Sequence, residues 1–230
     1  MSTSVAALRA LIEQRFPDAA PLTQRTTEPV ATGIAALDQI LPSGGLPRGR
    51  LSVWTPLGGA SAILRAACQA TLAAGERTVW IDGPGTIAGA FWDDGPLLLR
   101  PKGRIQTLRA AEEVLQSGAI GLVVLAGVEP EGTEIVRLTR AAREGGAALV
   151  TMATATSMAA LRLTSRLMPN GYHWRRDPFG GPAEAQMAVA LVRARAVGWN
   201  VHTKFEIPVM PHDLRLSLEP GVADRRGLRR

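Results

Sequence analysis

The chain has 230 residues, of which 46% are hydrophobic and 4% aromatic, and a formal net charge of +6. That length suits one fair-sized domain with short appendages, and the charge permits an acidic partner such as nucleic acid without requiring one. The single cysteine, Cys68, excludes a disulfide framework within the chain, and no apolar run approaches membrane-spanning length, so a soluble cytoplasmic protein is expected.

Residues 4 to 16 read as a helix. Val5, Leu8, Ile12 and Phe16 share one face with Leu11 beside them, Ser4 suits the N-cap, and Pro17 ends the run. Residues 17 to 31 hold Pro17, Pro21 and Pro29 with little apolar periodicity and read as a linker. A helix tethered this way can pack on its own domain or reach a neighbour. Gly33 to Leu41 suggests a short helix. Leu51 to Trp54 reads as a buried strand and Ser61 to Ala74 as a helix, with Cys68 as a buried structural thiol. Thr78 to Asp82 is a strand, Leu108 to Gln116 a helix, and Ile120 to Leu125 a strand apolar enough for the middle of a parallel sheet. Ile135, Leu138 and Ala142 mark another helix face, followed by a strand at Ala147 to Met152. Such alternation predicts an α/β fold: a mostly parallel, twisted sheet flanked by helices. Gln186 to Ala194, Val201 to Ile207 and Leu214 to Leu218 read as antiparallel strands extending it. The last stretch carries Arg225, Arg226, Arg229 and Arg230.

The most specific segment is Thr32-Gly33-Ile34-Ala35-Ala36-Leu37-Asp38, then Gly44-Gly45-Leu46-Pro47-Arg48-Gly49-Arg50, then the strand to Trp54. It resembles the stretch leading into the P-loop of the RecA family of recombinases, where a TG-x-x-x-LD helix and a GGLP-x-G-R turn precede the first core strand. The resemblance implies a RecA-like core over residues 32–218, with residues 1–16 as an interaction helix, 17–31 as linker and 219–230 as a basic tail.

Next in that family comes a loop whose backbone N–H groups cradle phosphates, whose Lys reaches the terminal phosphates and whose Ser or Thr holds Mg²⁺. Here the loop reads Thr55-Pro56-Leu57-Gly58-Gly59-Ala60-Ser61-Ala62-Ile63-Leu64. Aligned from the strand, Ala62 takes the lysine position and Ile63 the hydroxyl position. Pro84 stands where the recombinases carry their water-activating glutamate, and Ala126 where they carry the magnesium-orienting aspartate. Asp82 is read as a structural carboxylate at a strand end, and Glu129 and Glu131 as solvated turn residues. The expectation is a degenerate nucleotide site that is not enzymatic and takes no cofactor. No metal site is expected either, since His173, His202 and His212 lack partners at ligand spacing.

The segment 154–182 carries Arg162, Arg166, Arg175 and Arg176 among Tyr172, His173 and Trp174. It either contacts DNA, holding phosphates and stacking bases, or forms an amphipathic helix from Met158 to Leu167 followed by a turn at Pro169-Asn170-Gly171. In the recombinases a tethered N-terminal helix docks on the next subunit. The resemblance implies the same use for Val5, Leu8, Leu11, Ile12 and Phe16, in self-association or on a RecA filament.

A degenerate core, a retained helix and an arginine-rich tail together are similar to the ImuA family, RecA-like accessory proteins of translesion mutasomes. That resemblance implies a non-catalytic role in SOS mutagenesis, with RecA and an ImuB-type Y-family polymerase homologue as partners and an error-prone replicative-type polymerase as an indirect one. A SulA-like division inhibitor, binding the tubulin-like division protein, and a recombinase paralogue with weak nucleotide binding are the alternatives.

Overall fold

The computed structural model describes residues 28–87, 95–154, 158–175 and 184–208. The expected N-terminal helix, most of the linker, the strand at Leu214 to Leu218, Arg176, His212 and the tail lie outside the described residues.

The order is α1 (Ala35–Asp38), β1 (Leu51–Pro56), α2 (Ala60–Ala73), β2 (Arg77–Asp82), β3 (Leu97–Leu99), α3 (Arg104–Gln116), β4 (Ile120–Ala126), α4 (Gly132–Gly145), β5 (Ala148–Met152), β6 (Leu161–Arg175), β7 (Glu184–Ala196) and β8 (Trp199–Pro208). They build one eight-stranded sheet in the order β3-β2-β4-β5-β1-β6-β7-β8. The pairs from β3 to β6 are parallel, and β6–β7 and β7–β8 are antiparallel. The expected α/β class and the antiparallel C-terminal extension are therefore present.

Side chains alternate across the sheet because successive Cβ atoms of a strand point to opposite faces. Trp54, Trp80, Leu122, Val124 and Val150 bury on one side with Ile63, Leu64, Ala67 and Cys68 of α2 and Leu37 of α1. Leu51, Val53, Val79, Ile81, Val123, Leu125 and Leu149 bury on the other, against Ala111 and Leu115 of α3 and Ile135, Leu138 and Ala142 of α4. Each fully buried Leu or Ile of this kind contributes about 1.5–3 kcal/mol. In α4 the apolar stripe recurs at helical spacing, and a capping box opens the helix. The Glu131 side chain accepts from the N3 backbone, and Glu134 accepts from the Glu131 N–H at 2.9 Å.

One expectation is overturned. Met158 to Leu167 is not an amphipathic helix; Leu161 begins a strand that pairs in parallel with β1 through Ser52↔Leu161 and Trp54↔Leu163. Leu161, Leu163 and Ser165 are buried while Arg162, Thr164 and Arg166 are not, a period of two. The Trp54 indole Nε1 donates to Ser165 Oγ at 2.9 Å, locking the two strands together inside the core. Pro169-Asn170-Gly171 does not end the element. It is accommodated as a register shift between Leu167 and Tyr172. Strand β3 was not foreseen, since three leucines carry too short a pattern to read.

The segment before β1 is organised by its own motif residues. Asp38 Oδ1 accepts from the Thr32 N–H at 2.9 Å and from the Thr32 hydroxyl at 2.8 Å. Val30 and Leu46 form an antiparallel bridge. Arg48, 12% exposed, gathers four elements at the N-terminal edge of the sheet. It donates to Glu28 O at 2.8 Å, Gly146 O at 3.2 Å, Gly121 O at 3.4 Å and Glu76 Oε1 at 2.5 Å.

Two outcomes follow. Arg48→Met should lower unfolding stability by about 2–3 kcal/mol in urea titration, because it strands several acceptors around a desolvated cation site. Burial pushes the Cys68 thiol up to about 12. A thiol-specific reagent at mildly alkaline pH should therefore label Cys68 only after the chain is unfolded.

Candidate functional site

In open α/β sheets ligands bind beyond the carboxyl ends of the parallel strands. Here those ends are the 57–59 connection after β1, the 83–87 turn after β2 and the 127–131 turn after β4.

Only Leu57, Gly58 and Gly59 separate β1 from α2. A phosphate-cradling G-x-x-x-x-G-K-[ST] loop places about four residues between its glycines alone. Pro56 still belongs to β1, paired with Ser165 of β6. Ala60, Ser61, Ala62 and Ile63 already belong to α2, so the lysine and hydroxyl positions are wound into the helix. Ala60 and Ile63 are buried, and Ala62 packs against the same core cluster. The connection is also crowded. Gly59 has a φ of +76°, and a Cβ there would lie 2.9 Å from Leu167 Cδ2 and 3.3 Å from Ile207 Cδ1. The side chains of β6 and β8 thus crowd the Gly59 side of the connection, while Leu57 stays exposed.

The other two ends are closed. Pro84 packs onto Gly127, where a Cβ would overlap its ring. Ala126 ends β4 with Asp82 and Met152 as its neighbours, and presents no polar group. Asp82 is fully buried. Its carboxylate accepts from the Ile87 N–H at 2.9 Å and the Thr86 hydroxyl at 3.3 Å, with Arg100 Nε at 3.8 Å. It closes a turn, as the strand-end reading expected.

Glu129 and Glu131 are not simply solvated, which corrects the expectation for both. Glu129 Oε1 accepts from the Thr154 N–H and hydroxyl, both at 2.7 Å, and these bonds hold its carboxyl below the ordinary range. Glu131 is the N-cap of α4. Glu134 next to it takes both terminal nitrogens of Arg104 at 2.6 Å, which likewise lowers its carboxyl.

The candidate DNA residues do not form one site. Arg162 and Arg166 lie on the side of the sheet away from Leu161 and Leu163. Trp174, 59% exposed, pairs with Ala185 and so sits on the opposite side. Its ring stacks obliquely on Tyr172, with centroids 5.8 Å apart. Arg175 lies at the end of β6, paired with Glu184. His173 Nε2 is 3.3 Å from Glu206 Oε1, an exposed pair. Among the described residues no His, Cys, Asp or Glu cluster could hold a metal.

Sequence reading missed the residues that do accompany Arg162 and Arg166. Arg193 and Arg195 on β7 and Lys204 on β8 share their side. The signal was present in Val192-Arg193-Ala194-Arg195-Ala196, an alternation of apolar and cationic positions. Among the described residues no helix is long and apolar enough to cross a membrane.

A scan of protein-family models finds none that matches the chain, and no curated protein matches it.

The geometry yields a sharp expectation. Ala62→Lys combined with Ile63→Thr supplies the side chains of a phosphate loop but not its open conformation, since Ala60 onward is helical. Titration of this double variant with Mg-ATP in a calorimeter should give no binding heat, and Ile63→Thr should cost stability because it buries a hydroxyl in an apolar core.

Proposed function

We propose that the chain is a non-catalytic RecA-like accessory protein of SOS-induced translesion DNA synthesis and mutagenesis, similar to the ImuA proteins. On this reading it binds RecA through the 4–16 segment. An ImuB-type polymerase homologue binds its C-terminal strands and tail, and an error-prone replicative-type polymerase joins indirectly.

The observation that carries the reading is the connection between β1 and α2. A phosphoryl-transfer enzyme stabilises the transferring group with a preorganised cradle, a cation and a positioned water. In this chain helix α2 already begins at Ala60, leaving Leu57, Gly58 and Gly59 as the non-helical part of the cradle, with Leu167 and Ile207 close to Gly59. The cation and metal positions are Ala62 and Ile63. Meanwhile the motif residues before β1 act within the frame: Thr32 on Asp38, and Arg48 on the N-terminal edge of the sheet. A frame that keeps its architecture while its cradle is filled fits a protein used for its surfaces.

The test is a pull-down with purified components. Leu8→Asp with Ile12→Asp should abolish capture of RecA while leaving capture of the ImuB-type partner unchanged. Undiminished RecA capture would sink the assignment of that helix.

A further inference from the structure

Helices α3 and α4 cover one side of the sheet only as far as β1. No residue of β6, β7 or β8 belongs to the cluster they bury. Beyond β1, no helix of the described residues packs on that side, while the reverse side of the same strands is packed through Leu161, Leu163, Ala188, Ala190, Val192 and Ala194.

Register places the bare side chains in rows. Arg162 lies beside Arg195 and then Asn200. Thr164 lies beside Arg193 and then His202. Arg166 lies beside Leu191 and then Lys204. Neighbours stand about 4.8 Å apart across strands and about 6.7 Å apart along them. The rows hold five permanent cations and no carboxylate. Glu206 lies one row further on, engaged by His173.

A merely solvated face would be built differently, and the same chain shows how. On α3 and α4 four of the five arginines are matched with glutamates: Arg104 with Glu134, Arg109 with Glu113, Arg137 with Glu112 and Arg140 with Glu144, Arg143 being the exception. On the bare face, among the described residues, no carboxylate forms an ion pair with Arg166, Arg193, Arg195 or Lys204. Arg162 stands directly opposite Arg195, and like charges opposed across a ladder cost stability. Protection of a sheet edge does not account for it, because β7 is an interior strand.

We propose that this face binds the phosphate backbone of nucleic acid without reading bases. Guanidinium forks grip phosphate oxygens bidentately, and Arg166 and Arg193 line one hollow with Leu57, Thr164, Ser165 and Leu191. From Arg162 to Arg166 the strand runs about 13 Å, the axial length of roughly four nucleotides. An acidic protein fits less well. Protein interfaces centre on clusters of apolar or aromatic anchors; in these rows the large apolar residue, Leu191, is 8% exposed, and Leu57 at the rim of the hollow is a single exposed leucine among five cations. With Trp174 on the opposite side, this face has no stacking platform, so binding follows charge and not sequence. Nothing in the face depends on the RecA and polymerase partners proposed above.

The experiment is fluorescence anisotropy of the full chain with a labelled DNA single strand, and separately with its duplex, between about 50 and 200 mM salt. Log affinity should fall against log salt with a slope of about −3 to −5, as expected for four or five phosphate contacts. R193Q with R195Q should weaken binding at least about tenfold at low salt and flatten the slope by about 1.5 to 2. Loss on either form of DNA supports the proposal, and the difference between the two forms identifies the strand state bound. R166Q with K204Q, on the flanking strands, should act alike and serves if the first variant fails to fold. The charge-matched R137Q with R140Q on α4 and the single variant W174A should leave affinity unchanged. The proposal is overturned by binding that is insensitive to salt, or by an equal loss from R137Q with R140Q. It is also overturned if the loss follows glutamine replacement of Arg225, Arg226, Arg229 and Arg230 instead, or if polyglutamate competes as well as DNA of equal charge.

Discussion

The Arg48 guanidinium holds together the edge from which the sheet is built. A parallel sheet brings strands from distant parts of the chain side by side, and their starting ends converge on one rim. At that rim the carbonyls of Glu28, Gly121 and Gly146 and the carboxylate of Glu76 all face inward toward one point. Arginine is the one side chain with enough donors, in a fixed planar fork, to satisfy them together. A lysine would supply a charge without the geometry. Fixing the segment before β1 to the start of β4 and the end of α4 sets the register of β1 against β5. An isolated antiparallel bridge between Arg48 and Ala148 adds a further contact at this rim.

From that fixed rim, the opposite ends of the strands follow. β1 emerges between β5 and β6 and turns into α2 through Leu57, Gly58 and Gly59. Leu167 and Ile207 can then approach Gly59 closely, which extends the apolar core beneath α2 to the end of the sheet. The antiparallel ribbon therefore has two unlike sides. The side toward α1 and α2 completes the core. The other meets no helix of the described residues and carries cationic groups at Arg162, Arg166, Arg193, Arg195 and Lys204. Alternation along β6, β7 and β8 is the consequence of a sheet that outruns its helices on one side only.

Much of this was legible in the sequence, and the limits have physical causes. The parallel core was readable because its strands are short, uniformly apolar runs separated by helical stripes, as in Ile120 to Leu125 and Ile135 to Ala142. The segment around Leu161 was misread because Arg162 and Arg166, four apart, also satisfy a helical face, and the Pro169-Asn170-Gly171 turn signal suggested an ending. Only the open edge of β1, which needs a partner strand, decides between the two periods. The candidate site was legible in what it lacked at Ala62, Ile63, Pro84 and Ala126. The crowding by Leu167 and Ile207 was not, because those residues lie more than a hundred positions away in sequence. The cationic rows were invisible for the same reason: Arg162 and Arg195 become neighbours only through register.

The closed end and the retained motif explain each other. A phosphate loop is an open, polar, glycine-rich cradle that depends on its ligand to satisfy its N–H groups. Without that ligand, folding favours winding the loop into helix and packing apolar side chains over it, since buried apolar area stabilises and an empty polar hollow does not. Winding Ala60 to Ile63 into α2 pairs the Ile63 N–H with Gly59 O at 3.1 Å and places the Ile63 side chain in the core. The residues before β1 face no such change. Thr32, Asp38 and Arg48 bond to the chain itself, so their contribution does not depend on any ligand.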